Sequence, residues 1–193
     1  YLEYHRGTYT TQARNKRANR KSEFLLHDAE FISAYASLIA DYQYPITNYQ
    51  QAWRTICLNQ FHDIIPGSSI GPVYEESQEQ YAQLATDVAQ LRDEALQVIS
   101  ETLDGDLILV NPTSFTQRGL VFIPSDSLQR FSLDGQSVPI QPADSGLWLD
   151  AGELQPYSVT ALSSTPQVSS SAPHTSSPNA PRFWKPTKPM GMP

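Results

Sequence analysis

Apolar residues in the first hundred positions recur at steps of three and four, the spacing that puts them on one face of an α-helix. The pattern predicts a long first helix that starts at Thr10 or Thr11, both suitable N-caps, and runs to about Tyr42. Tyr44-Pro45 ends this helix, because the residue before a proline avoids the helical region. Its predicted buried stripe holds Phe24, Leu25, Ala29, Phe31, Ile32, Tyr35, Leu38, Ile39 and Tyr42.

Two more helices are predicted after this proline. Thr47 or Asn48 caps the second, which ends near Phe61, and the third runs from about residue 71 to residue 103. Three helices joined by short connections favour an antiparallel bundle. The apolar side of the third helix is predicted to hold Val73, Tyr74, Tyr81, Leu84, Val88, Leu91, Ala95, Val98 and Ile99.

From Gly105 onwards the pattern changes to alternation, and β-forming residues become frequent. Five short strands leave open sheet edges, so we expect the start of an antiparallel β domain that is incomplete in this chain. The strands are predicted at residues 107–110, 119–123, 137–141, 147–149 and 158–162, with turns at Asn111-Pro112, Asp134-Gly135 and Ser145-Gly146.

The last thirty or so residues are rich in Ser and Pro, a composition that buries too little apolar surface to order the chain. The expected fold class is therefore α+β, in three parts. They are an antiparallel three-helix bundle over residues 1–104, the start of a β-sandwich-like domain over 105–162, and a disordered tail over 163–193.

Composition and charge limit the classes of partner that this chain is expected to bind. The formal net charge of -7 argues against nucleic acid, and no apolar run approaches the roughly 18 residues that span a membrane. The chain opens on Tyr1, so the absence of a leader says little about secretion. The single Cys57 fits a reducing, cytoplasmic compartment, and its place in a helical run suggests a small core residue.

One stretch concentrates candidate chemistry: Asn59-Gln60-Phe61-His62-Asp63-Ile64-Ile65-Pro66-Gly67-Ser68-Ser69. The His-Asp pair follows an apolar helical run and precedes a helix-breaking Pro-Gly. An imidazole offers a nitrogen to a metal, and a carboxylate accepts a hydrogen bond from a substrate hydroxyl. Taken alone, such a pair at a helix end is more often a cap or a surface ion pair.

A second motif, His5-Arg6-Gly7-Thr8-Tyr9-Thr10-Thr11-Gln12, is followed by Lys16-Arg17-Ala18-Asn19-Arg20. In this order, the two motifs resemble the central region of glycoside hydrolase family 38, the zinc-dependent retaining α-mannosidases, and most of all its bacterial and cytosolic branch. The resemblance is good over about residues 1–110, weaker to about 162, and stops there.

The resemblance implies that His62 is a zinc ligand and that Asp63 binds hydroxyls of the mannose ring. The other zinc ligands, a His-x-Asp pair and a nucleophilic aspartate, belong to an N-terminal barrel that this chain lacks. No catalytic residue is therefore assigned here, since the nucleophile and the acid are expected on that barrel. As an alternative, Asp63 is a turn residue that satisfies the amides of Ile65 or Gly67.

Other residues admit two interpretations. Cations at the start of a helix oppose its dipole, so the cluster Arg14, Lys16, Arg17, Arg20 and Lys21 is either a solvated face paired with Glu23 or a docking surface for an acidic face of the barrel. Tyr9 and Phe61 either line a sugar cleft or pack in the core.

The hypothesis that follows is a fragment of an α-mannosidase that hydrolyses terminal α-mannosides with zinc and is inactive alone. Its partners would be the α-mannoside substrate and a barrel fragment. The alternative is a non-catalytic carbohydrate-binding or scaffold module, which would bind mannosides without metal. A helical metal sensor would need His5 or His27 beside His62, and the spacing does not support that.

Overall fold

The computed structural model describes residues 7–124 and 129–166. The chain divides into two compact units, Tyr1–Asp104 and Gly105–Pro193. In its described part, the first unit consists of three helices and the second of antiparallel β-strands, which confirms the α+β class. The helices are α1 (Ala13–Ile39), α2 (Ile46–Asn59) and α3 (Gly71–Thr102). No helix of the described ranges is both long and apolar enough to cross a membrane.

The start of α1 differs from the prediction. Thr10 and Thr11 lie in a turn, where both backbone N–H groups donate to the carbonyl oxygen of Gly7 at 2.9 and 2.6 Å. The N-cap is Gln12, in the left-handed region with φ 53°, and its side chain makes no capping hydrogen bond. The predicted threonine caps are therefore wrong, because the preceding turn already uses their backbone.

The start of α2 also differs. Its N-cap is Pro45, whose carbonyl oxygen accepts from Asn48 N at 3.1 Å and Tyr49 N at 3.2 Å. The predicted caps Thr47 and Asn48 are thus inside the helix. A proline side chain has no polar atom, so it makes no capping hydrogen bond to the first turn of α2.

A narrow seam joins α1 and α3. Apart from Ile32, the buried positions of α1 follow one another at steps of seven, four and three, and so do those of α3, which is the heptad spacing of coiled coils. The buried residues of α1 are Asn15, Ser22, Leu26, Ala29, Ile32, Ser33 and Ala36. Those of α3 are Tyr74, Ser77, Tyr81, Leu84, Val88, Ala95 and Ile99.

This seam is narrower than the predicted stripe. Phe24 and Leu38 are 54% and 84% exposed, although both were predicted to be buried. The prediction was wrong there because it followed the large apolar residues, whereas small ones that it left out, Ser22, Ser33 and Ala36, form much of the buried face of α1.

The direction of the helices follows from polar contacts. Ser77 Oγ donates to Asn15 Oδ1 at 2.6 Å, and Tyr81 Oη donates to Asn19 Oδ1 at 3.0 Å. Both pairs have a sequence separation of 62, so α1 and α3 run parallel. The shorter α2 runs antiparallel to both and packs beside them, as an up-down-up bundle with short connections requires.

Near its start, α2 is held to α1 by Tyr49. Its hydroxyl donates to the carbonyl oxygen of Ala29 at 3.1 Å and lies 2.6 Å from the hydroxyl of Ser33. Burial raises the pKa of Tyr49 to about 12. The phenol therefore stays neutral, and remains a donor, over the whole physiological pH range.

Cys57 is exposed, so its interpretation as a core residue is wrong. The buried residues of α2 are Tyr49, Ile56 and Asn59. Cys57 follows Ile56, and successive residues of a helix point about 100° apart. The single stripe that α2 buries therefore leaves Cys57 facing solvent.

The loop between α2 and α3 rests against the turn that precedes α1. Gly67 has φ +97°, and a Cβ atom there would overlap Thr11 Cγ2 and lie 3.0 Å from Thr11 Cβ. Glycine is therefore required twice, for the backbone conformation and for the close approach. This contact brings together two sequence motifs that lie more than 50 residues apart.

The second unit has two sheets whose inner faces share one core. Within the described residues, the strand orders are β1-β7-β3-β4 and β2-β6-β5, and every pairing is antiparallel. The strands are β1 (Leu107–Asn111), β2 (Gln117–Pro124), β3 (Gln129–Leu133), β4 (Gln136–Ser137), β5 (Ile140–Ala143), β6 (Gly146–Leu154) and β7 (Ser158–Pro166). The shared core consists of Leu109, Phe131, Val138, Leu147, Leu149, Ala151, Leu154 and Leu162.

The sequence analysis missed β3, and its single strand at residues 137–141 corresponds to two strands, β4 and β5. Residues 129–133 form β3 because they pair with β7, Phe131 opposite Ser164, and Phe131 enters the core. The predicted turn Asp134-Gly135 is confirmed, with positive φ at both residues, and it leads into β4. Strand β7 continues to Pro166, so the predicted tail boundary at 162 was too early; the rest of the predicted tail lies outside the described residues.

Replacing Gly67 with alanine should destabilise the first unit, because the new methyl group meets Thr11 and the backbone is left-handed. We expect a loss of about 1–3 kcal/mol in the free energy of unfolding, measured by urea denaturation of the whole chain. Gly71→Ala is the control, since nothing lies within 4 Å of a Cβ placed there. Equal effects of the two substitutions would contradict the close contact.

Tyr49 should make the chain sensitive to alkali. Its pKa is raised from 10.0 to about 12, so its contribution to stability is complete below pH 10 and is lost as the pH rises through about 12. Tyr49→Phe should cost about 1–2 kcal/mol at pH 7, through lost hydrogen bonds, and should lose less further stability from pH 10 to 12 than the wild type. Urea unfolding at several pH values measures this. Tyr9→Phe, at a residue 90% exposed, should follow the wild-type profile.

Candidate functional site

The pair His62 and Asp63 lies on the turn that follows α2. The two side chains are 75% and 60% exposed, and His62 Nε2 is 3.3 Å from Asp63 Oδ2. The Phe61 ring lies against the imidazole, with 4.2 Å between ring centroids. An exposed ion pair of this kind contributes at most about 1 kcal/mol to stability. The pair is therefore open to a ligand, and the fold gains little from it.

The amides of the turn do not use the Asp63 carboxylate. Ile65 N donates to the carbonyl oxygen of Phe61 at 3.1 Å, and Gly67 N donates to that of Ile64 at 3.1 Å. The alternative in which Asp63 satisfies these two amides is therefore wrong. The carboxylate keeps the capacity to accept hydrogen bonds from another molecule.

Tyr74 of α3 holds the far side of the loop. Its buried hydroxyl accepts from Ser69 N at 2.9 Å and lies 3.2 Å from the carbonyl oxygen of Ile64, to which it donates. Together with the close contact between Gly67 and Thr11, this contact fixes the backbone on the C-terminal side of His62 and Asp63. Their side chains remain exposed while the main chain that carries them is held.

Asn59 and Gln60 hold the backbone on the N-terminal side of His62 and Asp63. The sequence analysis assigned neither residue a role. Asn59 is buried, and its Nδ2 donates to Gln80 Oε1 of α3 at 2.8 Å. Gln60 Nε2 donates to α1, to Asn19 Oδ1 at 3.1 Å and Glu23 Oε1 at 2.8 Å. Their place at the start of the motif that contains His62 was a signal visible in the sequence. Their hydrogen-bond partners were not, because these residues are far away along the chain.

The basic cluster of α1 is partly engaged within the unit. Arg20 pairs with Glu23 at 2.7 Å and lies 4.1 Å from the centre of the Phe24 ring. Lys16 Nζ donates to the carbonyl oxygen of Thr11, and burial lowers the pKa of Lys16. The pairing of Arg20 with Glu23 was predicted. Docking of this face against an acidic surface stays a prediction.

Tyr9 and Phe61 are both exposed, at 90% and 51%, so the interpretation as core residues is wrong for each. The Phe61 ring contacts the His62 imidazole, and Tyr9 belongs to the turn that Gly67 contacts through Thr11. An aromatic lining beside the His-Asp pair stays a prediction.

Of the other histidines, only His27 lies in the described ranges, and it is paired on α1, away from His62. His27 lies on α1 with its Nδ1 3.1 Å from Asp28 Oδ1, and both are largely exposed. His5 and His174 lie outside the described residues. In the ranges 7–124 and 129–166, no group of three His, Cys, Asp or Glu side chains is placed to hold a metal ion. A catalytic zinc needs about three protein ligands, so these residues fit one position of a metal site and not a complete one.

Comparison with known proteins supports the resemblance. The family described as the α-mannosidase middle domain matches residues 3–99, which is half of the chain. An α-mannosidase of Saccharomyces cerevisiae is 38% identical over 111 residues, which cover 56% of this chain and 10% of the relative. Human α-mannosidase 2C1 is 47% identical over 78 residues, 40% of this chain and 8% of the relative. The chain thus spans about a tenth of the length of these curated relatives.

Solved structures show the same fold. An α-mannosidase from Enterococcus faecalis V583 matches with a TM-score of 0.68 and 18% identity, over 83% of this chain and 24% of that one. A glycosyl hydrolase family 38 protein from Enterococcus faecalis matches with a TM-score of 0.66 and 18% identity, over 83% of this chain and 25% of that one. With half of its length matched by the α-mannosidase middle domain and its fold found in these structures, the chain belongs to glycoside hydrolase family 38, as part of an α-mannosidase central region.

Proposed function

We propose that this chain is the middle part of an α-mannosidase that hydrolyses terminal α-mannosides with retention and with the help of zinc. His62 contributes one metal ligand and Asp63 one substrate contact. The observation that carries the proposal is the exposed His62-Asp63 pair on a loop whose backbone is held from both sides, inside the family-matched residues. The names of the curated relatives, all α-mannosidases, support the substrate class.

The chemistry of the pair suits these roles. An ionised carboxylate accepts charge-assisted hydrogen bonds from two neighbouring hydroxyls, as a mannose ring presents them. A neutral imidazole offers one ring nitrogen to a metal, and His62 is accessible for that purpose. Bound zinc would act as a Lewis acid on oxygen atoms of the substrate.

The remaining parts of the reaction lie elsewhere in the protein. A retaining glycosidase needs two carboxyl groups about 5 Å apart, one as nucleophile and one as acid. We assign neither role to a residue of this chain and propose that the barrel supplies both. The chain alone is then inactive, and a barrel fragment is its partner. Its single cysteine supports a cytoplasmic location.

A chimera tests the role of His62. Residues 3–99 replace the matched segment of the Saccharomyces cerevisiae α-mannosidase, and His62→Ala is compared with His27→Ala, a histidine that also lies beside an exposed aspartate. We expect His62→Ala to lower kcat about 100-fold or more and to lose zinc, because even outer partners of a metal site are worth about 10–100-fold. Activity on a chromogenic α-mannoside and metal content by mass spectrometry are the measurements.

Three results would contradict the proposal. One is a folded but inactive parent chimera, another is equal zinc content in both variants, and the third is full activity of His62→Ala. A mannoside that binds the isolated chain in the presence of a chelator would instead favour the non-catalytic carbohydrate-binding module.

Asp63→Asn in the same chimera should separate substrate contact from metal binding. The amide keeps the size of the side chain but loses charge assistance worth about 1.5–3 kcal/mol, so kcat/KM should fall about 10- to 150-fold. Zinc content should stay stoichiometric, and Asp28→Asn should leave kcat/KM unchanged. Loss of zinc in Asp63→Asn would show a metal role in place of the substrate contact.

A further inference from the structure

Gln60 ends α2 two residues before His62 and points its side chain at α1. Its amide nitrogen has two hydrogens, and both are used: Nε2 lies 3.1 Å from Asn19 Oδ1 and 2.8 Å from Glu23 Oε1. Gln60 is also the C-cap of α2, and its backbone N–H donates to the carbonyl oxygen of Ile56 at 3.0 Å. Both its main chain and its side chain are therefore anchored where the helix ends.

The acceptors of Gln60 are themselves held in place. Asn19 Nδ2 donates to Glu23 Oε1 at 2.9 Å, and Arg20 donates to Glu23 Oε2 at 2.7 Å. Tyr81 of α3 donates to Asn19 Oδ1 at 3.0 Å. Each of the two oxygens that Gln60 contacts thus has a second donor, which restricts its position before Gln60 binds.

Tyr81 stays a donor over the whole working pH range. Its side chain is almost fully buried, and burial, helped by the negative charge of Glu23, raises the pKa of its phenol. The network therefore links α3 to α1 and α1 to the end of α2, and the phenol at its α3 end keeps its proton near neutral pH.

The bundle does not need Gln60 in order to form. Asn59 already ties the end of α2 to α3, and Tyr49 ties its start to α1, both through buried groups. Gln60 is exposed, so water can replace its hydrogen bonds at little cost. Its contacts lie instead at the point where the chain leaves α2.

We propose that Gln60, braced by Asn19 and Glu23, is a positioning residue that aims the turn carrying His62 and Asp63. The inference rests on the proposed function, because it assigns the aim of these two side chains a role in the reaction. A displacement of catalytic groups by about 1 Å lowers the reaction rate strongly. A small change in the direction in which the chain leaves α2 is therefore enough to lower the rate.

The test introduces repulsion at this contact in the chimera. Gln60→Glu places a second carboxylate against Glu23 and Asn19 Oδ1, and should lower kcat/KM about 10- to 100-fold. The unfolding temperature should stay within about 2 °C. Glu23→Gln combined with Gln60→Glu restores an amide-carboxylate pair with the roles exchanged, and should recover most of the lost activity. Gln97→Glu is the matched control, because Gln97 also donates to a glutamate, Glu101, at 2.8 Å.

Hydrogen exchange in the full chain gives a readout that needs no activity. Amides of residues 61–65 and 67 should exchange about tenfold faster in Gln60→Glu than in the wild type or Gln97→Glu, and the double variant should return toward the wild type. Unchanged exchange, or unchanged kcat/KM in an otherwise active chimera, would overturn the positioning role. If His62→Ala retains activity, the proposed function fails instead, and the exchange rates alone then decide whether Gln60 holds the turn.

Discussion

The close packing of α1 against α3 is the contact on which the rest of the helical unit depends. Small buried residues at the seam, such as Ala29, Ala36 and Ala95, let the two backbones approach. Parallel packing in this register places Ser77 beside Asn15 and Tyr81 beside Asn19. The turn before α1 and the loop before α3 then meet at the same end of the bundle, because each immediately precedes a helix of the parallel pair.

That meeting point explains why the loop needs little secondary structure of its own. Gly67 lies against Thr11, Tyr74 binds two backbone groups of the loop, and Gln60 reaches across to α1. Contacts with all three helices thus surround an exposed His62 and Asp63. A backbone held by its neighbours under accessible side chains is the arrangement expected of a site that binds something outside the unit.

The chain contains a second His-Asp pair, and the contrast with it shows what the contacts around His62 and Asp63 add. His27-Asp28 has nearly the same separation as His62-Asp63, 3.1 against 3.3 Å, and is also exposed. It lies inside a regular helix, where both side chains belong to a solvated face. The two dipeptides are chemically equivalent, so any difference in role comes from the scaffold: one pair follows a helix end that three elements hold, and the other does not.

Local sequence determined the helices, the turn at Asp134-Gly135 and the motif around His62, because periodicity, proline and glycine act over a few residues. It could not determine which of several apolar faces is buried, and Phe24, Leu38 and Cys57 turned out to be exposed. Nor could it find β3, which exists because β7 pairs with it. Burial and strand pairing depend on a partner surface that is distant in sequence. For the same reason, only the tertiary structure showed that Asn19, Glu23 and Gln60 meet beside the His62 turn.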